Sequence, residues 1–302
     1  MSCISEDSQA EVCRFASSPT MCVAEKEIRV GAYLGEDVTE LLNAWIGTQE
    51  GDAIYRRWFF DTRVEAAERA GGRYPTQVYP GYAFPEDARY TANASMTTLY
   101  EMGCDAEKGA FYSISDALEL SLLAAFVNEG HDTKGATFFL TADMSIVSSD
   151  SHYKGESWIP IGDSDEHCFK GVFDGQGFVI TELLINDIIS MDAPDYAGLF
   201  GYVNSSDAVI KNAAVFGNIR GAKCAGGIVA ELVSGTVENS WFAGDISASR
   251  AVGGIVGETL DAMIQNCVYF GTADCKRDCG GVVGSTYKSS EIRFCYYSNE
   301  DF

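Results

Sequence analysis

The chain repeats one short motif four times: Gly198-Leu199-Phe200-Gly201, Gly227-Ile228-Val229-Ala230, Gly254-Ile255-Val256-Gly257 and Gly281-Val282-Val283-Gly284. The copies recur at a spacing of about 27 residues, and the first interval is slightly longer than the other two. Two more columns keep the same interval, one of asparagine and one of glycine: Asn212, Asn239 and Asn266, and Gly217, Gly244 and Gly271. Three columns in one register define an internal repeat, and a repeat decides the fold before any single element is considered.

Each repeat unit contains three short β-forming segments separated by turn-forming residues. Strands of this length are marginal on their own, so they must stack on the equivalent strands of the next unit. Units of equal length stack in register when each forms one turn of a coil, with neighbouring turns about 4.8 Å apart. The repeat therefore predicts a mainly β fold, a right-handed, three-sided parallel β-helix with about 27 residues in a regular turn.

The recurring residues are predicted to shape this coil rather than to bind a ligand. One apolar column is expected to form an internal ladder: Ile210, Val237, Ile264 and Ile292. Glycines are expected at tight corners that leave no room for a side chain, among them Gly198, Gly201, Gly227, Gly254, Gly257, Gly281 and Gly284. The asparagine column favours a ladder of side-chain amides that hydrogen-bond to one another along the coil axis.

Residues 1–110 follow a different pattern, which we interpret as a small α+β segment followed by a linker. Apolar residues spaced as on one helix face, from Val38 to Trp45, predict an amphipathic helix from about Glu36 to Ile46. Turn-forming residues dominate from Tyr79 to Gly103, so an irregular connection is predicted there. The β-helix is then expected to occupy residues 111–302.

A coil of strands leaves unpaired backbone groups at both ends. A helix from Asp116 to about Asn128, with Ser113 or Ser115 as its N-cap, is predicted to cover the N-terminal end. No comparable helix follows the last strand, Arg293 to Tyr297. We therefore expect either that a longer protein continues the coil or that the chain self-associates through this strand.

The net charge argues against two classes of partner. The chain has 21 basic and 44 acidic residues, a formal net charge of -23. Nucleic acids and anionic membranes bind basic surfaces, so neither is expected as a partner. No apolar run approaches the ~18 residues of a membrane span, and the first residues lack the pattern of a signal peptide. Ten cysteines are compatible with disulfides but leave the compartment open.

Four motifs, in order, resemble the GLUG repeat family of bacterial surface proteins: Trp158-Ile159-Pro160-Ile161-Gly162, Phe169 to Ile180, Ala197 to Gly201, and the later copies of the glycine motif. The resemblance covers residues 111–302, and the segment from Leu41 to Tyr74 is similar to the end of a preceding block. It implies a right-handed β-helix displayed outside the cell, as part of a larger adhesive or structural protein. GLUG repeats also accompany metallopeptidases resembling IgA proteases, but their His-Glu-x-x-His zinc motif is absent here.

Two acidic motifs are candidate sites. The stretch Asp174-Gly175-Gln176-Gly177 is a tight-turn signal, and a glycosidase would need a second carboxylate across a cleft, so a structural turn is favoured. The residues Asp163, Asp165 and Glu166 are candidate calcium ligands. Their spacing differs from that of the twelve-residue calcium loop, so an ordinary acidic loop is favoured over a metal site.

The cysteines near the C-terminal end allow more than one state. Cys275 and Cys279 form either a local disulfide or two free thiols, because no second pair completes a metal site. Cys267 and Cys295 occupy equivalent positions on adjacent turns, where stacked thiols are favoured over a disulfide.

The sequence contains no catalytic or cofactor-binding motif. It therefore predicts a non-enzymatic, extracellular structural or adhesion module that contacts a protein or a glycan and needs no cofactor. The alternative is a carbohydrate-active β-helix enzyme, a polysaccharide lyase or hydrolase whose carboxylates would converge on one face of the coil.

Overall fold

A computed structural model describes residues 36–48, 59–60, 75–76, 90–146, 157–186 and 194–298 of the chain. Its parallel strands form a β-solenoid of about six turns. Three sheets run along the solenoid and enclose one continuous hydrophobic core. The mainly β, coiled architecture predicted from the repeat is confirmed.

Sheet 1 contains nine strands and extends along the described solenoid. Its strands are β3 (Ala94–Ser95), β4 (Phe111–Ile114), β5 (Thr137–Leu140), β7 (Val172–Asp174), β10 (Phe200–Lys211), β13 (Val229–Glu238), β17 (Val256–Gln265), β21 (Val283–Thr286) and β22 (Glu291–Arg293). All neighbouring pairs are parallel, and the last two strands both pair with the long strand β17.

Sheet 2 and sheet 3 form the other two sides of the coil. Sheet 2 contains β6 (Met144–Ser145), β8 (Val179–Asn186), β11 (Ala214–Arg220), β14 (Trp241–Ala243), β15 (Ile246–Ala248), β18 (Val268–Phe270), β19 (Ala273–Cys275) and β23 (Tyr296–Ser298). Sheet 3 contains β9 (Tyr196–Ala197), β12 (Cys224–Gly226), β16 (Ala251–Gly253) and β20 (Asp278–Gly280). A separate antiparallel pair joins β1 (Phe59–Phe60) to β2 (Pro75–Thr76).

The register of sheet 1 follows the repeat. Ile210 pairs with Val237, Val237 pairs with Ile264, and Ile264 pairs with Ile292. All four side chains are at most 3% exposed. The predicted internal ladder is therefore confirmed, because each turn places an aliphatic side chain directly on that of the turn before.

The first turns of the solenoid contain helices in place of sheets 2 and 3. Helix α2 (Met96–Met102) follows β3, and helix α3 (Ala117–Asn128) follows β4. Their buried side chains belong to the same core as the coil: Met96, Leu99, Leu120, Leu123, Phe126 and Val127. The predicted helix over residues 116–128 is confirmed, but it lies between two strands of sheet 1 and not in front of the first strand.

The irregular connection predicted up to Gly103 is wrong in its last part. Residues Ala94–Ser95 form the first strand of sheet 1, so this sheet begins before residue 111. Ser95 then caps helix α2 by accepting a hydrogen bond from the backbone nitrogen of Thr98, and Gly103 ends the helix in the left-handed conformation. Burial of two apolar residues stabilises this seven-residue helix, which is too short to show a periodic pattern.

A capping box starts helix α3. Asp116 is the N-cap, because its side chain accepts a hydrogen bond from the backbone nitrogen of Glu119 at 2.9 Å. The carboxylate of Glu119 accepts in return from the nitrogen and hydroxyl of Ser115 and of Thr97, at 2.8 to 3.2 Å. The predicted caps Ser113 and Ser115 are therefore wrong, and Ser115 is instead a donor to the box.

Helix α1 (Glu36–Gly47) confirms the predicted amphipathic helix. Leu42 is fully buried in a cluster with residues from the outer face of sheet 2, including Trp241, Val268 and Tyr296. The outer face of sheet 2 thus has an apolar half that packs with α1 and a polar half that lies open. None of the helices in the described part of the chain is long and apolar enough to cross a membrane.

Candidate functional site

The asparagine column forms a hydrogen-bonded ladder at the corner between sheets 1 and 2. Nδ2 of Asn266 donates to Oδ1 of Asn239, and Nδ2 of Asn239 donates to Oδ1 of Asn212, each at 2.7 Å. The ladder ends on Asp174, whose Oδ1 accepts from Nδ2 of Asn212 at 2.7 Å. The three asparagines are fully buried and have φ between 47° and 53°. Asparagine tolerates this left-handed conformation better than most residues, so the column shapes the corner.

Asp174 is placed as a structural residue. Its side chain is 1% exposed, and Oδ2 accepts a hydrogen bond from the hydroxyl of Tyr90 at 2.9 Å and lies 3.7 Å from Nζ of Lys211. The turn that follows requires both glycines, because a Cβ at Gly175 would overlap the backbone and Gly177 has a φ of 77°. A buried carboxylate with these partners offers no surface to a substrate.

The glycine columns allow segments of the chain to approach more closely than a side chain permits. A Cβ would overlap an internal aromatic ring in three pairs: Gly227 with Phe242, Gly254 with Tyr269, and Gly281 with Tyr297. A Cβ would meet a backbone carbonyl oxygen at four further positions: Gly198, Gly201, Gly257 and Gly284. These residues therefore set the packing of the coil.

The three candidate calcium ligands do not share a partner: Asp163 and Asp165 contact different residues, and Glu166 is exposed. Oδ1 of Asp163 lies 3.2 Å from Nδ1 of His167, whereas Oδ1 of Asp165 accepts a hydrogen bond from Nδ2 of Asn204 at 3.0 Å. The side chain of Glu166 is exposed. Nowhere in the described ranges do three or more His, Cys, Asp or Glu side chains converge as a metal site would need. The geometry of this loop gives no support to a calcium site.

The cysteines have two different states. Cys275 and Cys279 are joined by a disulfide at the turn between β19 and β20. Cys267 and Cys295 are free, buried thiols. Burial raises the pKa of Cys295 well above its ordinary value, with the neighbouring Cys267 adding to the effect. Because the thiolate is the reactive form, Cys295 is placed for packing, and Cys267 is buried in the same core.

A cluster of ionisable side chains lies at the corner between sheets 3 and 1. Glu231 and Glu258 are register partners on β13 and β17. Arg250 pairs with Glu258, while the hydroxyls of Tyr202 and Tyr196 donate to Glu231. Burial raises the pKa of Glu231. Two carboxylates from successive turns therefore meet here, and Tyr202 and Glu258 are buried while Tyr196, Glu231 and Arg250 are partly exposed.

The polar half of sheet 2 carries an open cleft of about 950 Å³ that crosses four successive strands, β8, β11, β15 and β19. Buried isoleucines alternate with outward-facing residues along β8, β11 and β15, and Ala273 takes the equivalent inward position on β19. The outward residues form two columns: Asn218, Asp245 and Thr272, and beside them Asn186, Arg220, Ser247 and Asp274.

Hydrogen bonds within the first column fix its side chains. Oδ1 of Asn218 accepts from the backbone nitrogen of Asp245 at 3.2 Å, and Oδ1 of Asp245 accepts from the hydroxyl of Thr272 at 2.6 Å. The second column differs, because the guanidinium of Arg220 is exposed and makes no ion pair within the described ranges. The cleft therefore combines a hydrogen-bonded polar row with two exposed cations, Arg220 and Lys276, that make no ion pair within the described ranges.

Comparisons with known proteins add little beyond the fold. The sequence matches no protein-family model and no curated protein. It is similar to the crystal structure of a Bacteroides ovatus protein provisionally assigned as an immunoglobulin A1 protease, with a TM-score of 0.48 and 20% sequence identity. The alignment covers 65% of this chain and 59% of that chain. At this level the similarity carries no statement about activity, and the resemblance to the GLUG family stays a prediction.

The cleft was not predicted from the sequence, although the repeat contains a pattern that indicates it. Asn218, Asp245 and Thr272 each follow a glycine of the column that begins at Gly217. The residues two positions further on complete the second polar column. A period-two pattern repeated at the same place in successive turns marks an outward face, but only the structure shows that this face is concave.

Proposed function

We propose that this chain is a non-enzymatic β-solenoid interaction module of a larger surface protein, and that its cleft on sheet 2 binds an extended glycan. The observation that supports this most directly is the pair of polar columns in the open cleft. Strands about 4.8 Å apart give the four-residue second column a length of about 14 Å and the three-residue first column a length of about 10 Å, which suits a chain of several sugars. The extracellular location belongs to the same proposal.

A glycan fits this cleft better than a protein segment. Sugars present many hydroxyl groups, and the cleft offers amide, hydroxyl and carboxylate groups to bond them. A peptide added as a strand would need an open sheet edge, whereas the inner strands β11 and β15 are paired on both sides. Most large apolar residues on the outside of sheet 2 pack in the cluster with helix α1, while the half-buried Leu184 lines one end of the cleft.

The test is a glycan and protein binding screen with the wild-type chain and two matched variants. Ser247→Trp fills the middle of the cleft, whereas Thr236→Trp places the same side chain on the outer face of sheet 1. We expect the first variant to lose binding and the second to keep it, with circular dichroism showing both folded. Equal binding by the two variants, or no ligand for the wild type, would overturn the proposal.

Two carboxylates in the cleft favour the enzymatic alternative. Asp245 and Asp274 both line the cleft and come from successive turns. Inverting glycosidases hold two carboxylates about 6.5–9.5 Å apart. Oδ1 of Asp245 is already engaged by Thr272, which leaves one oxygen for chemistry. Release of new reducing or unsaturated ends from a bound glycan, abolished by Asp245→Asn and by Asp274→Asn, would establish this alternative.

A further inference from the structure

Arg220 is one of two cationic side chains that line the cleft, and its register partners are uncharged. Within the second polar column, Arg220 is the register partner of Asn186 on one side and of Ser247 on the other. Asn218 lies two positions before it on the same outward face. All these neighbours are hydrogen-bonding groups without charge, so the guanidinium has no counterion among them.

Two other arginines of the described residues pair with carboxylates, whereas the exposed Arg277, like Arg220, makes no ion pair there. Arg250 pairs with Glu258 and Arg293 pairs with Glu291. In a chain with 44 acidic and 21 basic residues, carboxylates are plentiful, so a shortage of possible partners does not explain why Arg220 makes no ion pair. Two carboxylates line the cleft with Arg220. Asp245 lies just before the neighbouring strand β15, at a diagonal position about 7–8 Å away, and Asp274 lies one strand further on, in β19.

From this juxtaposition we infer that the ligand of the cleft is a carboxylate-bearing glycan, one containing uronic acids, with Arg220 as its anchor. The inference rests on the proposed function and narrows it. A guanidinium binds a carboxylate through two parallel hydrogen bonds, and the flanking amide and hydroxyl groups can bond the ring oxygens of the same sugar. Arg220 is thus predicted to determine specificity rather than only to add affinity.

The overall charge of -23 does not prevent such a ligand from binding. At physiological ionic strength the Debye length is about 8 Å, so distant carboxylates are largely screened while a contact with Arg220 is not. Within the cleft itself, Arg220 and Lys276 offset Asp245 and Asp274. The cleft is therefore close to neutral on a strongly acidic protein.

The experiment uses two ligands with one backbone, oligogalacturonate and its fully methyl-esterified form, titrated calorimetrically into the wild-type chain at physiological salt. Esterification removes the charge and leaves the hydroxyl groups. We expect the ester to bind about tenfold more weakly or worse, since hydrogen bonds to a charged group are the stronger kind. Arg220→Ala should reduce acid binding by a similar factor and leave ester binding unchanged, and Arg220→Lys should restore part of it.

Lys134→Ala is the control, because it removes one positive charge from an exposed surface pair with Asp207, outside the cleft. Equal affinity for acid and ester, or an unchanged acid affinity in Arg220→Ala, overturns the inference while leaving the cleft as a glycan site. The inference is also overturned if oligoglutamate competes as effectively as oligogalacturonate, because the cleft would then recognise the carboxylate alone and not the sugar that carries it. No binding of either glycan, together with a negative binding screen, overturns the proposed function as well.

Discussion

Two regions of the solenoid close their turns by different means. In residues 194–298, paired positions on successive turns keep the spacing of the sequence repeat almost unchanged, as in Ile210 with Val237 and Ile264 with Ile292. In the N-terminal region the separations vary, with Ala94 paired to Tyr112 and Thr137 paired to Val172. Helices α2 and α3 fill the early turns, whereas strands and corner ladders fill the later ones.

This difference determines where each region is vulnerable. The regular turns depend on close backbone approach at fixed positions, so a substitution there collides with the next turn and cannot be absorbed locally. The helical turns depend on a buried apolar face and on caps, which tolerate small changes in spacing. Substitutions in both regions measure this contrast.

Gly244→Ala should have the largest effect. Its Cβ would overlap the carbonyl oxygen of Gly217, and the φ of 139° is unfavourable for alanine. We expect a loss of more than about 4 kcal/mol in the free energy of unfolding. The matched change in the helical region is Gly103→Ala, where a Cβ meets no atom within 4 Å and only the left-handed φ of 59° is strained. It should cost about 1–2 kcal/mol. Similar losses in urea denaturation would contradict the contrast.

Asn239→Ala should have the next largest effect, because Asn239 is the middle of the asparagine ladder. Its removal leaves Oδ1 of Asn212 and Nδ2 of Asn266 without these hydrogen bonds and places alanine at a φ of 47°. We expect a cost of about 3 kcal/mol or more in the free energy of unfolding.

Asn266→Ala provides the comparison for the ladder. Oδ1 of Asn266 is buried and has no hydrogen-bond partner in the described ranges, so its removal also removes an unsatisfied group. The cost should be about half that of Asn239→Ala, measured by the same urea titration. An equal or larger cost would show that the middle asparagine of the ladder contributes no more to stability than the end one.

Glu119→Gln tests the helical region. Burial by itself raises the pKa of Glu119, but the hydrogen bonds from Ser115 and Thr97 outweigh it and hold the pKa below its ordinary value. The ionised form is therefore favoured by folding, and its contribution is present above about pH 4.3 and is lost as the pH falls through the folded pKa. Glu119→Gln should cost about 1–2 kcal/mol at pH 7 and less in acid.

Thermal melting of this variant from pH 7 to pH 3 gives the measurement, with the exposed Glu101→Gln on helix α2 as the control. A penalty for Glu119→Gln that stays constant over this range would show that the charge of Glu119 has no role in the capping box.

Glu231→Gln should have the smallest effect and the opposite pH dependence. Because burial raises the pKa of Glu231, its contribution to stability is present below about pH 4.3 and is lost as the pH rises through the folded pKa. Glutamine cannot ionise, so the stability of the variant relative to wild type should increase with pH. Glu258→Gln, which breaks the pair with Arg250, should instead destabilise at pH 7. Melting curves in which Glu231→Gln falls below wild type as the pH rises would contradict the assignment.

The self-association through Arg293 to Tyr297 and the absence of a cofactor stay predictions, as do the GLUG assignment and the domain boundary at residue 111. The candidate site residues fall into two groups, the structural residues and the calcium candidates. The recurring glycines and asparagines were identified as structural from their spacing, and Asp174 from the turn signal that it begins. Their contacts agree with that role. The calcium candidates were chosen as neighbouring carboxylates on one loop, and Asp163 and Asp165 contact different partners, His167 and Asn204.

The sequence alone determined the coil, its turn length and the residues of its corners. A solenoid turn contacts mainly its neighbours, so each structural demand recurs at the same interval and becomes visible as a column. Tertiary structure decided the features that occur once. Helix α2 is too short for a periodic signal, and Glu119 gains its role from Thr97, which is 22 residues away. The cleft depends on which outward face helix α1 covers and which it leaves open, and no local pattern records that choice.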